Sequence, residues 1–245
     1  MDAKQANLLG TAREDAVLTL TLNRPAARNA LNLALTDALI DTLNRFAADE
    51  SLRVLIVTGA DPAFCAGLDL NDFAAPDAPR ARVAEMIDMW PRVTKPVIAA
   101  VNGAAVTGGL ELAMGCDFII ASDRARFADT HTKIGALAGG GMTARLPHLV
   151  GPRWAKQFSF TSDPIDAATA LRIGLVNEVV AHDQLMARAA ALAKTIASRR
   201  PDLVATVKQV IDQGALGTLE EALRIERAAL AQRKQCGDMA WQVQK

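Results

Sequence analysis

Short apolar runs alternate with amphipathic stretches along the first 145 residues of the chain. Residues 16–22 alternate apolar side chains with threonine before an Asn-Arg-Pro turn, which predicts a strand. Three compact apolar runs, at residues 54–58, 97–101 and 118–121, predict buried strands. Apolar residues at helical spacing predict helices over residues 35–46, 81–93 and 108–114. Residues 60–79 are rich in proline and alanine and predict a loop with at most one short helix.

The pattern changes after about residue 145, where helical spacing dominates. Helices are predicted over residues 152–161, 167–173, 183–198, 201–213 and 219–233, with one strand over residues 175–180. Strands that alternate with helices indicate an α/β domain built from ββα-like units. The sequence therefore predicts an α/β core followed by a helical C-terminal segment.

The composition is that of a globular protein with no overall charge. The 245 residues are 51% hydrophobic, and 27 Lys and Arg balance 27 Asp and Glu. No global field draws such a chain to nucleic acid or to an anionic membrane, so neither partner is expected. No apolar run is long enough to span a bilayer, and residues 1–9 lack the apolar part of a signal peptide. Three cysteines without a CxxC pair favour a reducing, cytoplasmic location.

Two glycine-bearing turns, at residues 64–69 and 107–111, stand where a strand should pass into a helix. The first N–H groups of a helix have no internal partner, and glycine lets a ligand approach the backbone closely. Two such ends directed at one point would form an oxyanion hole. Each turn taken alone is also consistent with tight packing. Dinucleotide, P-loop and GxSxG motifs are missing from the sequence, and no His or Cys spacing suits zinc, so no metal is expected.

The motifs around these turns resemble the crotonase, or enoyl-CoA hydratase/isomerase, superfamily. The principal matches are Phe64-Cys65-Ala66-Gly67-Leu68-Asp69, Pro96-Val97-Ile98-Ala99-Ala100-Val101-Asn102-Gly103 and Gly108-Gly109-Leu110-Glu111-Leu112. Supporting matches are Leu22-Asn23-Arg24-Pro25, Arg28-Asn29-Ala30-Leu31 and Gly139-Gly140-Gly141. Together these matches run along most of the chain and are specific, although no single one is.

The resemblance implies a crotonase-like spiral of ββα units over residues 1–190 and a helical trimerisation segment over residues 191–245. The protein would be a homotrimer or a dimer of trimers. The ligand would be an acyl-CoA thioester, with coenzyme A entering as part of the substrate and no resident cofactor. The backbone N–H groups of Leu68 and Gly108 would hold the thioester oxygen. The residues implied in substrate or CoA binding are Ala27, Arg28, Ala30, Ala66, Gly67, Asp69 and Gly109.

The resemblance also implies an acid–base pair, with one departure from the family pattern. Glu111 matches the first of the two glutamates that family hydratases use to hold a water molecule. His131 occupies the place of the second glutamate, in a register set by Phe127 and Gly135. A histidine could transfer protons at neutral pH, with Asp129 to orient it, or it could simply line the pocket.

Several reactions therefore remain open. Hydration of trans-2-enoyl-CoA by Glu111 and His131 is the reaction that the family favours. Double-bond isomerisation, decarboxylation, thioester hydrolysis or dehalogenation could use Glu111 as the sole carboxylate. A catalytically weak member that binds CoA esters or RNA belongs to another functional class.

Overall fold

The computed structural model of the chain describes residues 8–73, 75 and 77–236. Within these residues, ten strands form two sheets. The six-stranded sheet has the order β1 (Leu9–Glu14), β2 (Val17–Leu22), β3 (Val54–Gly59), β5 (Val97–Val101), β7 (Phe118–Ser122) and β10 (Glu178–Val180). The four-stranded sheet has the order β4 (Ala63–Cys65), β6 (Ala104–Val106), β8 (Arg126–Ala128) and β9 (Ile165–Asp166).

Consecutive strands of the central region alternate between the two sheets. Strands β3, β5 and β7 are parallel neighbours in the first sheet, and β4, β6 and β8 are parallel neighbours in the second. Helices α2 (Leu70–Phe73) and α3 (Arg80–Met89) follow the β3–β4 pair, and α4 (Gly108–Met114) follows the β5–β6 pair. Each turn of the chain thus adds one strand to each sheet and then a helix, as the ββα prediction requires.

The central strands β3, β5 and β7 of the first sheet are buried on both faces, which explains their uninterrupted apolar runs. On one face, Val54 and Ile56 pack with Leu185 and Ala189 of helix α7 (Leu185–Ala197). The alternate residues of the same strand join the main core on the other face. Parallel strands covered on both sides need apolar residues at every position, so these runs show no alternation.

Helix α1 (Leu33–Ala48) anchors the segment that precedes the first glycine-bearing turn. Its apolar residues at helical spacing are buried, as predicted, and its N-terminus is capped by the Asn32 side chain, which accepts from Leu35 N at 2.9 Å. Just before this cap, Leu31 forms a parallel bridge with Leu68. The start of α1 is therefore fixed next to the candidate site.

The C-terminal helices form a unit of their own. The chain divides into two compact units between Ser198 and Arg199. The boundary expected after residue 190 falls inside α7, which packs on the first sheet. In the second unit, α8 (Pro201–Gly214) packs against α9 (Leu219–Gln235), which begins with a capping box formed by Thr218 and Glu221.

The short strands and one helix start differ from the sequence-based prediction. Strands β4, β6 and β8 have three residues each, too few for a periodic pattern, and were not predicted. Helix α5 (Met142–Thr161) begins ten residues before the predicted start at residue 152, and it bends at Gly151, where φ is 77°. Helix α6 (Ala167–Arg172) matches its prediction to within one residue. None of the helices in the described residues is long and apolar enough to cross a bilayer.

Candidate active site

The two glycine-bearing turns lie directly against each other. Gly67 has a φ of +92°, and a Cβ atom there would lie 2.1 Å from Thr107 Oγ1. A Cβ atom on Gly109 would lie 2.2 Å from the Cys65 carbonyl oxygen. Real Cβ contacts are not this short, so the approach of the turns requires glycine at both positions. Burial raises the pKa of the Cys65 thiol to about 12, so this side chain is a neutral packing group between the turns.

Among the described residues, the backbone N–H groups of Leu68 and Gly108 have no hydrogen-bond acceptor. On either side of Leu68, Leu31 N donates to Gly67 O at 2.7 Å and Asp69 N donates to Leu31 O at 2.9 Å. Successive N–H groups of an extended segment point to opposite sides, so the Leu68 N–H points away from Leu31. Gly108 begins α4, where an N–H has no intrahelical partner. Both groups are available to an oxygen atom of a ligand.

The Glu111 carboxylate is buried and held by two backbone N–H groups. Glu111 lies in the first turn of α4 and is 2% exposed. Its Oε1 accepts from Gly140 N at 3.0 Å and from Met142 N at 2.9 Å. Its other oxygen, Oε2, has no hydrogen-bond partner among the described residues. Every fully buried side-chain oxygen in these residues has a partner, so Oε2 is not fully buried and is accessible. One oxygen orients the carboxylate, and the other can face a ligand.

Arg145 holds the loop that binds Glu111. Its guanidinium donates to Gly140 O at 3.0 Å and to Asp88 Oδ1 at 3.0 Å. Gly141 lies between Gly140 and Met142 in this loop and has a φ of 104°, a conformation that glycine adopts without strain. Sequence reasoning assigned Arg145 and Asp88 no role in the site, because the two partners are 57 positions apart.

The side chains of His131 and Asp129 form a close pair. The distance from His131 Nδ1 to Asp129 Oδ1 is 2.6 Å, and His131 N donates to the same oxygen at 3.2 Å. Asp129 is buried, and the His131 side chain is 12% exposed. His131 Nε2 has no partner among the described residues, so the pair leaves this nitrogen free to meet a ligand or water.

The charges around His131 raise its pKa. Burial by itself lowers the pKa of the imidazole from 6.5, but the hydrogen bond to Asp129 and the negative charges of Glu111 and Asp129 raise it further than burial lowers it. Burial likewise raises the pKa of Asp129, and its hydrogen bonds to His131 and Ser159 outweigh that effect and lower it. The pairing therefore favours the charged form of each group, an imidazolium beside a carboxylate. The charge of Glu111 thus acts on His131, so the two acid–base candidates lie within electrostatic range of each other.

The structure brings three of the predicted CoA-binding residues together. A 3₁₀ turn, Pro25–Ala27, is followed by Arg28 and Asn29, both with positive φ, and Ala66 N donates to Arg28 O at 3.0 Å. This bond places Ala27 and Arg28 beside the turn that carries Leu68. Arg28 is exposed and Ala27 half-buried, as a ligand-contacting edge requires.

Asp69 and Ala30, two other predicted binding residues, have their polar groups engaged by the protein. Asp69 Oδ2 accepts from Arg24 Nη2 at 2.8 Å, and Oδ1 accepts from Asn71 N at 3.1 Å. The Ala30 carbonyl oxygen accepts from the other guanidinium nitrogen of Arg24. Asp69 thus offers no unoccupied carboxylate oxygen to a ligand.

A second histidine cluster lies at the ends of the first-sheet strands. His182 Nδ1 is 3.0 Å from Ser122 Oγ, and His182 Nε2 is 3.1 Å from Asp61 Oδ2. The other oxygen of the Asp61 carboxylate accepts from Asn102 Nδ2 at 2.8 Å. This order of contacts resembles a hydrolytic triad, but Ser122 is fully buried and cannot meet a substrate. The cluster links strand ends of the first sheet, so His182 has a structural role.

Comparison with known proteins identifies the family of the chain. The sequence model of the enoyl-CoA hydratase/isomerase family matches residues 12–240. A probable enoyl-CoA hydratase of Rhizobium meliloti is 40% identical over 85% of this chain and 82% of its own. The 2,3-dehydroadipyl-CoA hydratase of Escherichia coli is 38% identical over 88% of this chain and 86% of its own.

Solved structures show the same relationship. The enoyl-CoA hydratase of Bacillus anthracis superposes with a TM-score of 0.88 at 35% identity, over 91% of this chain and 90% of that one. The enoyl-CoA hydratase of Mycobacterium avium superposes with a TM-score of 0.77 at 46% identity, over 95% of this chain and 100% of that one. The chain belongs to the enoyl-CoA hydratase/isomerase family and has the crotonase fold.

Proposed function

We propose that this protein adds water across the double bond of trans-2-enoyl thioesters of coenzyme A. One observation carries the proposal: an accessible carboxylate oxygen of Glu111 neighbours an aspartate-linked histidine, in a site that also holds two unpaired backbone N–H groups. Relatives named crotonyl-CoA hydratase and short-chain-enoyl-CoA hydratase, each 38% identical to this chain, add support.

The Leu68 and Gly108 N–H groups act on the thioester oxygen. Attack of water at the β-carbon pushes the π electrons towards the carbonyl, so negative charge collects on that oxygen. Two fixed N–H donors stabilise the resulting enolate more than they stabilise the substrate, and loss of one such donor typically costs about 3–4 kcal/mol of barrier. The side chain of Leu68 is irrelevant to this role, since the backbone supplies the donor.

Glu111 and His131 move the protons. The water oxygen bonds to the β-carbon while its proton passes to Glu111 Oε2. The enolate then collapses, and its α-carbon takes a proton from Nε2 of charged His131, whose pKa the pairing with Asp129 raises. Transfer of the proton from Glu111 back to His131 through water restores both groups. The net change is one water added, with no resident metal or redox cofactor required.

Coenzyme A enters as part of the substrate along the edge formed by the first turn. Ala27, Arg28 and Ala66 supply the exposed and half-buried surface of this edge. Gly67 and Gly109 contribute by letting the two glycine-bearing turns approach each other closely. The polar groups of Ala30 and Asp69 already have protein partners, so neither residue offers them to coenzyme A.

Double-bond isomerisation is the second candidate reaction, because the accessible Glu111 oxygen could move a proton between carbon atoms without His131. A spectrophotometric screen separates the two reactions. Purified protein is given short and medium trans-2- and 3-enoyl-CoA esters while the conjugated-enone absorbance is followed. Loss of absorbance with 2-enoyl esters supports hydration, and growth with 3-enoyl esters shows isomerisation. Tight binding without any turnover would overturn both.

We further propose a homotrimer or a dimer of trimers in the cytoplasm. The C-terminal helices leave apolar side chains exposed, namely Leu203, Val207, Ile211, Leu219, Leu223 and Leu230. Large apolar side chains left exposed along a pair of helices favour a role in subunit contacts. Light scattering on the purified chain should give a trimeric or hexameric mass, and a monomeric mass would contradict the assembly. The free cysteines fit a reducing compartment.

A further inference from the structure

The Leu68 N–H lies in a segment whose position depends on a partner segment. Leu31 pairs with both peptide groups that flank Leu68, through bonds to Gly67 O and from Asp69 N. This bridge joins isolated residues rather than two strands, and one further backbone bond connects the same segments, from Ala66 N to Arg28 O at 3.0 Å. A donor that must meet a developing oxyanion to within a few tenths of an ångström needs firmer support than a few backbone bonds.

Arg24 ties the two halves of this bridge together. One guanidinium nitrogen donates to Asp69 Oδ2 at 2.8 Å, and another donates to the carbonyl of Ala30. Asp69 follows Leu68, and Ala30 precedes Leu31, so the fork of Arg24 spans both sides of the bridge. The side chains of Arg24 and Asp69 are only 18% and 10% exposed, and a charge-assisted bond with little solvent screening is strong and directional.

Arg24 is itself held by a buried side chain. Asn29 Oδ1 accepts from Arg24 N at 2.8 Å, while Asn29 Nδ2 donates to the carbonyls of Ala60 and Ala63, both at 2.7 Å. Asn29 is fully buried. The contacts therefore run without a gap from strand β4 through Asn29 and Arg24 to Asp69, the residue next to the oxyanion donor.

From these contacts we propose that the Arg24–Asp69 ion pair is a positioning device for the Leu68 N–H. The inference rests on the proposed function, since it assigns the pair to the thioester-polarising side of that same site. Arg24 and Asp69 are positioning residues: they act through the backbone of Leu68 and do not touch the reacting atoms. The pair controls how strongly the thioester is polarised, not how tightly coenzyme A binds.

The test measures carbonyl polarisation directly, using a cinnamoyl thioester of coenzyme A as the probe. Polarisation of its carbonyl by N–H donors shifts the absorbance of the conjugated system to longer wavelength. Asp69→Asn keeps the size of the side chain and removes the charge. Arg24→Met removes the fork, and Arg24→Lys keeps the charge but cannot reach both partners equally well. Each variant is titrated with the probe and assayed for hydration of crotonyl-CoA.

We expect Asp69→Asn and Arg24→Met to shrink the red shift and to lower kcat about 10- to 100-fold, with KM and the affinity for free coenzyme A within about twofold of wild type. Arg24→Lys should lie between wild type and Arg24→Met. The double variant should lose little more than either single variant, because the two residues act as one unit. Thermal melts establish that each variant is folded.

The matched control is Glu178→Gln, which breaks the ion pair that Arg188 Nε makes with the Glu178 carboxylate at 2.8 Å. The side chains of Arg188 and Glu178 are 43% and 35% exposed. The variant should therefore leave the red shift and kcat unchanged. A raised KM with the full red shift retained in Asp69→Asn would overturn the inference and make Asp69 a binding residue. Absence of a red shift in the wild type would instead overturn the proposed function, so the two failures are distinguishable.

Discussion

The two sides of the candidate site are held in place by different means. The oxyanion side, comprising Gly67, Leu68, Gly108 and Gly109, consists of backbone groups pressed together where a Cβ atom would lie 2.1–2.2 Å from its neighbour. The acid–base side consists of side chains, with Glu111 bound to loop N–H groups and its partner histidine bound to a carboxylate. Close backbone packing, supported by the Leu31 bridge and the Arg24–Asp69 pair, fixes the first side, whereas side-chain hydrogen bonds fix the second.

This difference determines which side tolerates a change of residue. A backbone donor is indifferent to its side chain, so Leu68 can serve, but the glycines next to it cannot be replaced without moving the turns. On the acid–base side, a different acid can occupy the same place provided that its orientation is supported, as Asp129 supports His131. Substitutions on the oxyanion side should therefore damage polarisation and fold together, whereas those on the acid–base side should separate chemistry from binding.

The largest effect is expected from Gly109→Ala. The added Cβ would lie 2.2 Å from the Cys65 carbonyl oxygen, so the turns must separate and both N–H donors must move. We expect kcat/KM for crotonyl-CoA to fall about 10⁴-fold, and the free energy of unfolding to fall by about 1–3 kcal/mol. Gly139→Ala is the matched control, since nothing lies within 4 Å of its Cβ position. Near-normal turnover by Gly109→Ala would show that the close packing is dispensable.

Glu111→Gln should remove catalysis and leave the oxyanion side intact. The amide oxygen can still accept from Gly140 N and Met142 N, but the side chain can no longer take a proton from water. We expect kcat to fall about 10³-fold, while the red shift of a bound cinnamoyl thioester persists. Glu14→Gln, at an exposed position on β1, serves as control. Retained turnover of crotonyl-CoA in Glu111→Gln would remove Glu111 from the mechanism.

The two sides also differ in how far the sequence predicts them. The glycine-bearing turns were predicted because glycine between a strand and a helix has a local physical meaning, and α4 lies within the predicted bounds. The supports on the acid–base side were not predicted, since Arg145 meets Asp88 across 57 positions and Glu111 meets loop N–H groups across about 30. No local pattern reports contacts that the tertiary fold creates. Arg24 and Asp69 were missed as a pair for the same reason.

His131→Ala should lower hydration by about 10²-fold, because it removes the acid that protonates the α-carbon. A loss of only a few-fold would reduce His131 to a pocket-lining residue. His131→Glu alone would set a carboxylate against Asp129, only 2.6 Å from the present Nδ1 position, and the two negative charges would repel. The combination His131→Glu with Asp129→Asn avoids this repulsion. We expect it to hydrate crotonyl-CoA faster than His131→Ala, as steady-state assays would show.

Asp129→Asn should produce the smallest loss, about tenfold in kcat/KM near neutral pH, and a change in its pH dependence. Hydration requires His131 in its charged form, so activity must fall as pH rises through the pKa of the imidazole. That pKa lies above its ordinary value of 6.5 because the contributions of Asp129 and Glu111 exceed that of burial. The alkaline limb of the wild-type kcat/KM profile is therefore expected above pH 6.5, and the free enzyme's pKa sets its position.

Replacing Asp129 by asparagine removes the charged acceptor but leaves burial, which lowers the pKa of His131, and Glu111, which raises it. The alkaline limb should move to lower pH, and lowering the pH should restore part of the lost activity. The same linkage applies to stability: the His131–Asp129 interaction stabilises the fold fully below about pH 6.5 and is lost as pH rises through the raised pKa. An unmoved limb in Asp129→Asn would mean that the observed ionisation belongs to another group and that Asp129 only packs beside His131.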